Sequence, residues 1–224
     1  MTIKAIIFDY GGVLIRMMNE RPRQQLAERL GVALLDVYRA VFESEAARLG
    51  AVGRITTEQL WQSVADAVGV PYREISGLYW QFWSADGLNL QVIEYIRGLR
   101  RKRKARCKIG LLSNANDDLR AMLTDRWQIA DLFDDIVISA EVHDAKPNAA
   151  IYRLALERLD VLPAQAVFVD DMPQNVEGAR SVGMYAVQFF SFWQMRRALG
   201  KVIRAADGRC AANQQRGQDD QWAA

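Results

Sequence analysis

The chain is short of several things that would have pointed elsewhere. It has two cysteines in 224 residues, Cys107 and Cys210. They lie far apart with no metal-type spacing, so a zinc site or a disulfide framework is not indicated and both read as reduced cytosolic thiols. There is no excess of either charge: 29 basic residues face 27 acidic ones, a net +2. This balance gives no electrostatic reason to expect nucleic acid or an anionic membrane as partner. There is also no long hydrophobic run. Residues 3–8 form an apolar stretch interrupted only by Lys4, too short for a signal segment or a membrane span. The expectation is a cytoplasmic protein. No internal repeat is visible. The one histidine, His143, has no predicted partner and reads as non-catalytic.

Half of the residues are hydrophobic, enough for one sizeable core, or one core and a small accessory domain. Short apolar runs at residues 5–8, 109–112, 136–138 and 166–169 read as strands buried on both faces, as in a parallel sheet, with a fifth at 185–190. Helical patterns at 149–159 and 176–182 separate the later runs. The alternation predicts an α/β fold, a doubly wound parallel sheet with a Rossmann-like core.

Residues 20–83 are different, with helical stripes and no convincing strand. Leu26, Leu30, Leu34, Val37, Tyr38, Val41 and Phe42 form one apolar set. Leu60, Trp61, Val64, Ala65 and Val68 form another, opened by a capping box of Thr56 and Gln59. Gly31 and Gly69 read as helix stops. The division expected is an α/β core of residues 1–17 and 86–204, a small all-α domain of residues 18–85, and a flexible tail of residues 205–224. Trp61 reads as core, and Trp80 or Trp83 as a candidate pocket wall. The basic run Arg100, Arg101, Lys102, Arg103, Lys104 reads as a solvated loop on the sheet edge away from the chemistry.

That chemistry lies at the strand ends. The first strand ends in Asp9-Tyr10-Gly11-Gly12, the second in Ser113-Asn114, and the fourth in Asp170-Asp171; Lys146-Pro147 follows the third. A parallel sheet brings these ends to one edge. Three clustered carboxylates repel unless a cation sits among them, and such an oxygen-rich site suits Mg²⁺. Asp9 is then placed to attack a phosphoryl group whose charge Lys146 and the metal neutralise. Gly11-Gly12 lacks the spacing of a dinucleotide fingerprint.

The set resembles the four motifs of the haloacid dehalogenase superfamily, in that family's chain order, over about residues 3–187. The resemblance implies catalytic roles for Asp9 as nucleophile, Ser113 as phosphate-binding hydroxyl and Lys146 as stabilising lysine. It implies a metal site of Asp9, Asp170, Asp171 and the Gly11 carbonyl, with Asp171 the stronger choice for direct coordination. Substrate contacts would come from Tyr10, Gly11, Ser113, Asn114 and Lys146, and the helical insert would be a cap. The implied partner is a small phosphorylated metabolite, and the oligomeric state is not legible. One departure stands out. Most phosphatases of this family carry an aspartate two residues after the nucleophile as general acid and base, and here that residue is Gly11. The family's Asp-x-Gly-[Gly/Asn]-Val members include some that resemble sugar-1-phosphate phosphatases. Others are similar to the N-terminal domain of soluble epoxide hydrolase, though that domain generally keeps the aspartate. The expectation is therefore a Mg²⁺-dependent phosphatase favouring good leaving groups such as sugar-1-phosphates. The alternatives are a 2-haloacid dehalogenase-type hydrolase, which needs no general acid but replaces the acidic pair, and a catalytically feeble phosphate-binding protein. A response-regulator receiver fits poorly, because the order of its acidic groups is reversed.

Overall fold

The computed structural model describes residues 2–103 and 107–219. Its strands are β1 (Ala5–Phe8), β2 (Ile15–Met17), β3 (Asp86–Leu88), β4 (Lys108–Ser113), β5 (Asp135–Ile138), β6 (Ala166–Asp170) and β7 (Tyr185–Gln188). Five of them form one parallel sheet in the order β5-β4-β1-β6-β7. β1 is central, and every one of its residues is buried. One apolar layer, including Ile6, Phe8, Ile109 and Val167, packs beneath the helices on one face. Ile7, Leu112, Phe168 and the helix Ala149–Arg158 close the other. The strand runs read from the sequence are these five strands, and helices do cover both faces.

Between β2 and β3 the chain makes an excursion built of helices with a hydrophobic cluster of its own, including Leu26, Val37, Trp61, Val64, Leu78 and Phe82. Local signals explain its elements. Thr56 accepts from the Gln59 N–H while the Gln59 side chain accepts from the Thr56 N–H, so both ends of the capping box are made. Gly31 ends its helix at φ +68°. The excursion leaves and re-enters through an antiparallel ribbon in which Ile15 faces Leu88 and Met17 faces Asp86. This ribbon was not legible: three residues per strand are too few to show a period.

Three expectations need correction. Residues 100–103 are not a loop; they close the helix Leu90–Arg103, and Arg100 donates to the Leu132 carbonyl (3.1 Å) and Asp134 (3.0 Å). Charge density hid a helical turn whose first arginine has partners in the core. Lys104 lies outside the described residues. Phe42 does not join the insert's buried stripe; it is 50% exposed. The last helix, Phe192–Asp219, runs on through Ala205, where the sequence suggested a tail, and Ala206 is buried. Residues 220–224 lie outside the described set. No helix among the described residues is long and apolar enough to cross a membrane.

Candidate active site

The carboxyl ends of β1, β4 and β6 gather the polar residues. Asp9 directly follows β1 and Asp170 ends β6, so the β1–β6 pairing sets them side by side. Lys146 arrives on the loop after β5. The Asn114 amide fixes that loop, accepting from the Lys146 N–H (2.8 Å) and donating to the Lys146 carbonyl (2.8 Å). Asn114 thus positions Lys146, and its side chain is already engaged.

The Lys146 ammonium is buried and reaches Asp9 Oδ1 at 2.8 Å, Asp170 Oδ2 at 2.7 Å and the Leu112 carbonyl at 3.1 Å. Asp170 has no solvent exposure. Besides Lys146 it accepts from the Met172 N–H and from both contacts of the Asn175 amide. Asp9 Oδ1 also accepts from the Tyr10 N–H (2.7 Å), while Oδ2 has no partner among the described residues. Asp171 is half-buried and has no ion pair among the described residues. A Cβ at Gly12 would lie 2.2 Å from Asp171 Oδ2, and Gly12 sits at φ +69°. Only glycine lets the β1 turn pass so close to that carboxylate.

Oxygens of Asp9, Asp170 and Asp171 all lie within 4.8 Å of one another. Three carboxylates and one ammonium leave an uncompensated charge of about −2, which a divalent cation would balance. Burial pushes the Asp9 carboxyl up to about 7, with Lys146 pulling it down and Asp170 pushing it up. Burial and the neighbouring Asp170 also raise Asp171. A cation among them would restore the charged forms. The donor set therefore fits a hard, oxygen-preferring metal.

Beyond these groups lies a cavity of about 580 Å³, bounded by Tyr10, Gly11, Gly12, Ser113 and Asn114 on the sheet side and by the helical insert opposite. Among the described residues, the Ser113 hydroxyl has no hydrogen-bond partner, and Ser113 lines this space. Tyr10 accepts from the Trp127 indole N–H (2.8 Å). Trp83 lines the cavity, whereas Trp80 lines an adjoining groove of about 740 Å³. That groove is larger, but no strand-end residue borders it; the strand-end residues border the smaller cavity. His143 is exposed and bonds the Val52 carbonyl of the insert (3.0 Å), remote in role from the carboxylates.

Sequence reasoning missed two positioning residues. Asn175 holds both oxygens of Asp170, and its signal was a place on the helix that follows the acidic pair. Arg23 is buried, pairing with Asp86 at 2.6 Å and lying over the Phe82 ring at 4.1 Å. Three residues before Leu26, it shares the apolar face, which was the available signal.

A parallel α/β sheet with a carboxylate–lysine cluster at its carboxyl edge places the chain in the α/β class with one candidate catalytic edge. Residues 3–183 match the haloacid dehalogenase-like hydrolase family, and the chain belongs to that family. It is 27% identical over 183 residues to the sesquiterpene phosphatase astK of Aspergillus oryzae, covering 82% of this chain and 88% of that one. It is 25% identical over 217 residues to bifunctional epoxide hydrolase 2 of Rattus norvegicus, covering 90% of this chain but only 39% of that longer protein. Among solved structures, it superposes with a TM-score of 0.67 on a haloacid dehalogenase family enzyme of Bacteroides thetaiotaomicron in complex with magnesium and inorganic phosphate. The identity there is 21%, with 83% of this chain and 93% of that chain covered.

Proposed function

We propose that the protein is a Mg²⁺-dependent phosphatase of small phosphorylated metabolites, working through an aspartyl-phosphate on Asp9. The observation that carries this reading is the buried Asp9–Lys146–Asp170 cluster, with Asp171 beside it and Ser113, its hydroxyl unpartnered among the described residues, lining the same cavity. Phosphatases among the relatives and the magnesium–phosphate complex of the structural neighbour support it.

Asp9, Asp171 and the Gly11 carbonyl would hold the metal, with Asp170 contributing charge from behind because its oxygens are already bonded. When bound, Mg²⁺ supplies positive charge to the phosphoryl oxygens and orients them. The Ser113 hydroxyl and the Lys146 ammonium bind the same oxygens. Lys146 also holds Asp9 Oδ1, which leaves Oδ2 to attack phosphorus. The phosphorus bond to the leaving oxygen breaks, and that oxygen departs with its electron pair. Water then attacks the phosphorus, freeing the Asp9 carboxylate and inorganic phosphate. Gly11 offers no acid to the departing oxygen, so good leaving groups are favoured: anomeric sugar phosphates such as sugar-1-phosphates, acyl phosphates and aryl phosphates. In this reading residues 18–85 are a cap over a core of residues 1–17 and 86–204, excluding water from the cavity.

Phosphate release from a panel of phosphate monoesters with Mg²⁺ tests the proposal. Asp9→Asn is expected to abolish turnover, a loss of at least about 10³-fold. Mg²⁺ should raise the melting temperature of the wild type and do so less for Asp171→Asn. Wild-type turnover in Asp9→Asn would end the covalent mechanism, and activity that survives complete chelation would favour the dehalogenase reading.

A further inference from the structure

The phosphatase reading leaves the organic half of the substrate open, and the wall of the cavity speaks to it. From the strand-end residues the cavity runs between Phe42, Trp61, Tyr79 and Trp83 of the insert and Met122 and Trp127 of the core. These are large apolar surfaces. Phe42 is half exposed although it stacks with Tyr38 and packs against Phe82 and Trp83. An aromatic face kept open to a cavity gains by being covered with another apolar surface.

The polar side chains along the same wall are mostly engaged. Arg23 donates to Asp86, to the Phe82 carbonyl and to the Tyr38 hydroxyl. Tyr79 donates to Asp118 at 2.6 Å. Asn114 is held by the Lys146 backbone, and the Tyr10 hydroxyl by Trp127. A sugar entering here would give up its water at several hydroxyls and find few free partners. The exceptions are Arg16 and Asn116, whose side chains make no hydrogen bond among the described residues, and Arg126. The Arg126 guanidinium lies over the Trp80 and Trp127 rings, Nη2 donates to the Trp83 carbonyl, and the buried Nη1 has no partner among the described residues. It suits one acceptor oxygen, not a ring of hydroxyls.

We propose that the alcohol released is bulky and hydrophobic, an aryl group carrying a hydrocarbon substituent, lying against Phe42, Trp83 and Trp127. The proposal rests on the phosphatase reading for the place of the phosphate and on the cavity wall for the rest. Leaving-group chemistry and cavity chemistry are separate filters: sugar-1-phosphates pass the first, and aryl phosphates pass both.

The test uses para-alkylphenyl phosphates from phenyl to octylphenyl with Mg²⁺, since the leaving oxygen is then nearly constant. Each buried methylene should raise kcat/KM by roughly fourfold, corresponding to about 0.8 kcal/mol, until the cavity is filled. The octylphenyl ester should exceed glucose-1-phosphate. Phe42→Ser, with its fold checked by circular dichroism, should cost about tenfold on the octylphenyl ester and less on the phenyl ester. Calorimetric binding of the matching alkylphenyl phosphonates to Asp9→Asn should rise with chain length in the same way. A flat series in both measurements, or a preference for glucose-1-phosphate, overturns the apolar substrate while leaving the phosphatase intact. Failure to release phosphate from any ester overturns the phosphatase instead. Chain-length-dependent phosphonate binding would then still support the apolar cavity, and flat binding would overturn it too.

Discussion

The two sides of the cavity are built on opposite principles. On the sheet side, charged groups are buried and bound to one another: Lys146 to Asp9 and Asp170, Asp170 to Asn175, and Asn114 to the Lys146 backbone. On the insert side, apart from the buried Arg23–Asp86 pair, the surfaces are aromatic and their contacts are ring edges and faces, as among Trp61, Tyr79, Phe82 and Trp83. Hydrogen-bonded charge clusters hold one geometry, because each partner removed leaves a buried charge uncompensated. Apolar walls hold shape and area but impose few directions. The difference teaches where reaction and selection reside: reaction chemistry needs fixed directions, and substrate choice needs area.

Lys146→Met should break the sheet side most. It leaves Asp9 and Asp170 buried with no cation, and chemical denaturation in metal-free buffer should show a loss of about 3–5 kcal/mol. A change within experimental error would mean that the cluster is not held by its charges. Gly11→Asp adds to the sheet side what it lacks. A Cβ at Gly11 meets nothing within 4 Å, so the backbone there tolerates the start of a side chain. If the carboxylate serves as general acid, kcat on alkyl phosphates should rise by about 10² or more, and on p-nitrophenyl phosphate much less. An equal rise on both esters would assign the effect to something other than proton donation. Thr56→Ala addresses the insert alone. Losing the capping box should cost about 1 kcal/mol in the melting transition while kcat on phenyl phosphate stays unchanged. A fall in kcat without a fall in stability would show that the insert's helix ends govern chemistry.

How far the sequence could be read follows the same divide. The five sheet strands and the strand-end residues were legible because a fully buried strand shows as an unbroken apolar run, and polar residues at its end stand out against it. Asp9, Ser113, Lys146 and Asp170 are where that reading placed them, around one sheet edge. The insert was legible as helices and less so as surface. Periodicity assigns Phe42 to an apolar stripe without saying that the stripe borders a cavity. It also passes over Arg23, because a buried arginine looks like an exposed one until Asp86 is known to lie opposite, more than sixty positions along the chain. The β2–β3 ribbon joins residues equally distant, so no local window contains it. Asn175 was visible as a residue but not as a clamp on both oxygens of Asp170.

That ribbon has a consequence for the architecture as a module. Met17 and Asp86 are paired partners, so from the sheet's standpoint everything between them is the loop of a hairpin. Closing such a loop costs an entropy that grows only with the logarithm of its length. The ribbon presents the core with two adjacent chain ends, and the pairing of β1 with β4 and β6 involves no residue of the insert. The splice point separates what can be exchanged from what must stay. Under the proposed function, a different helical insert grafted there would meet a different alcohol, with Asp9 and Lys146 left in register.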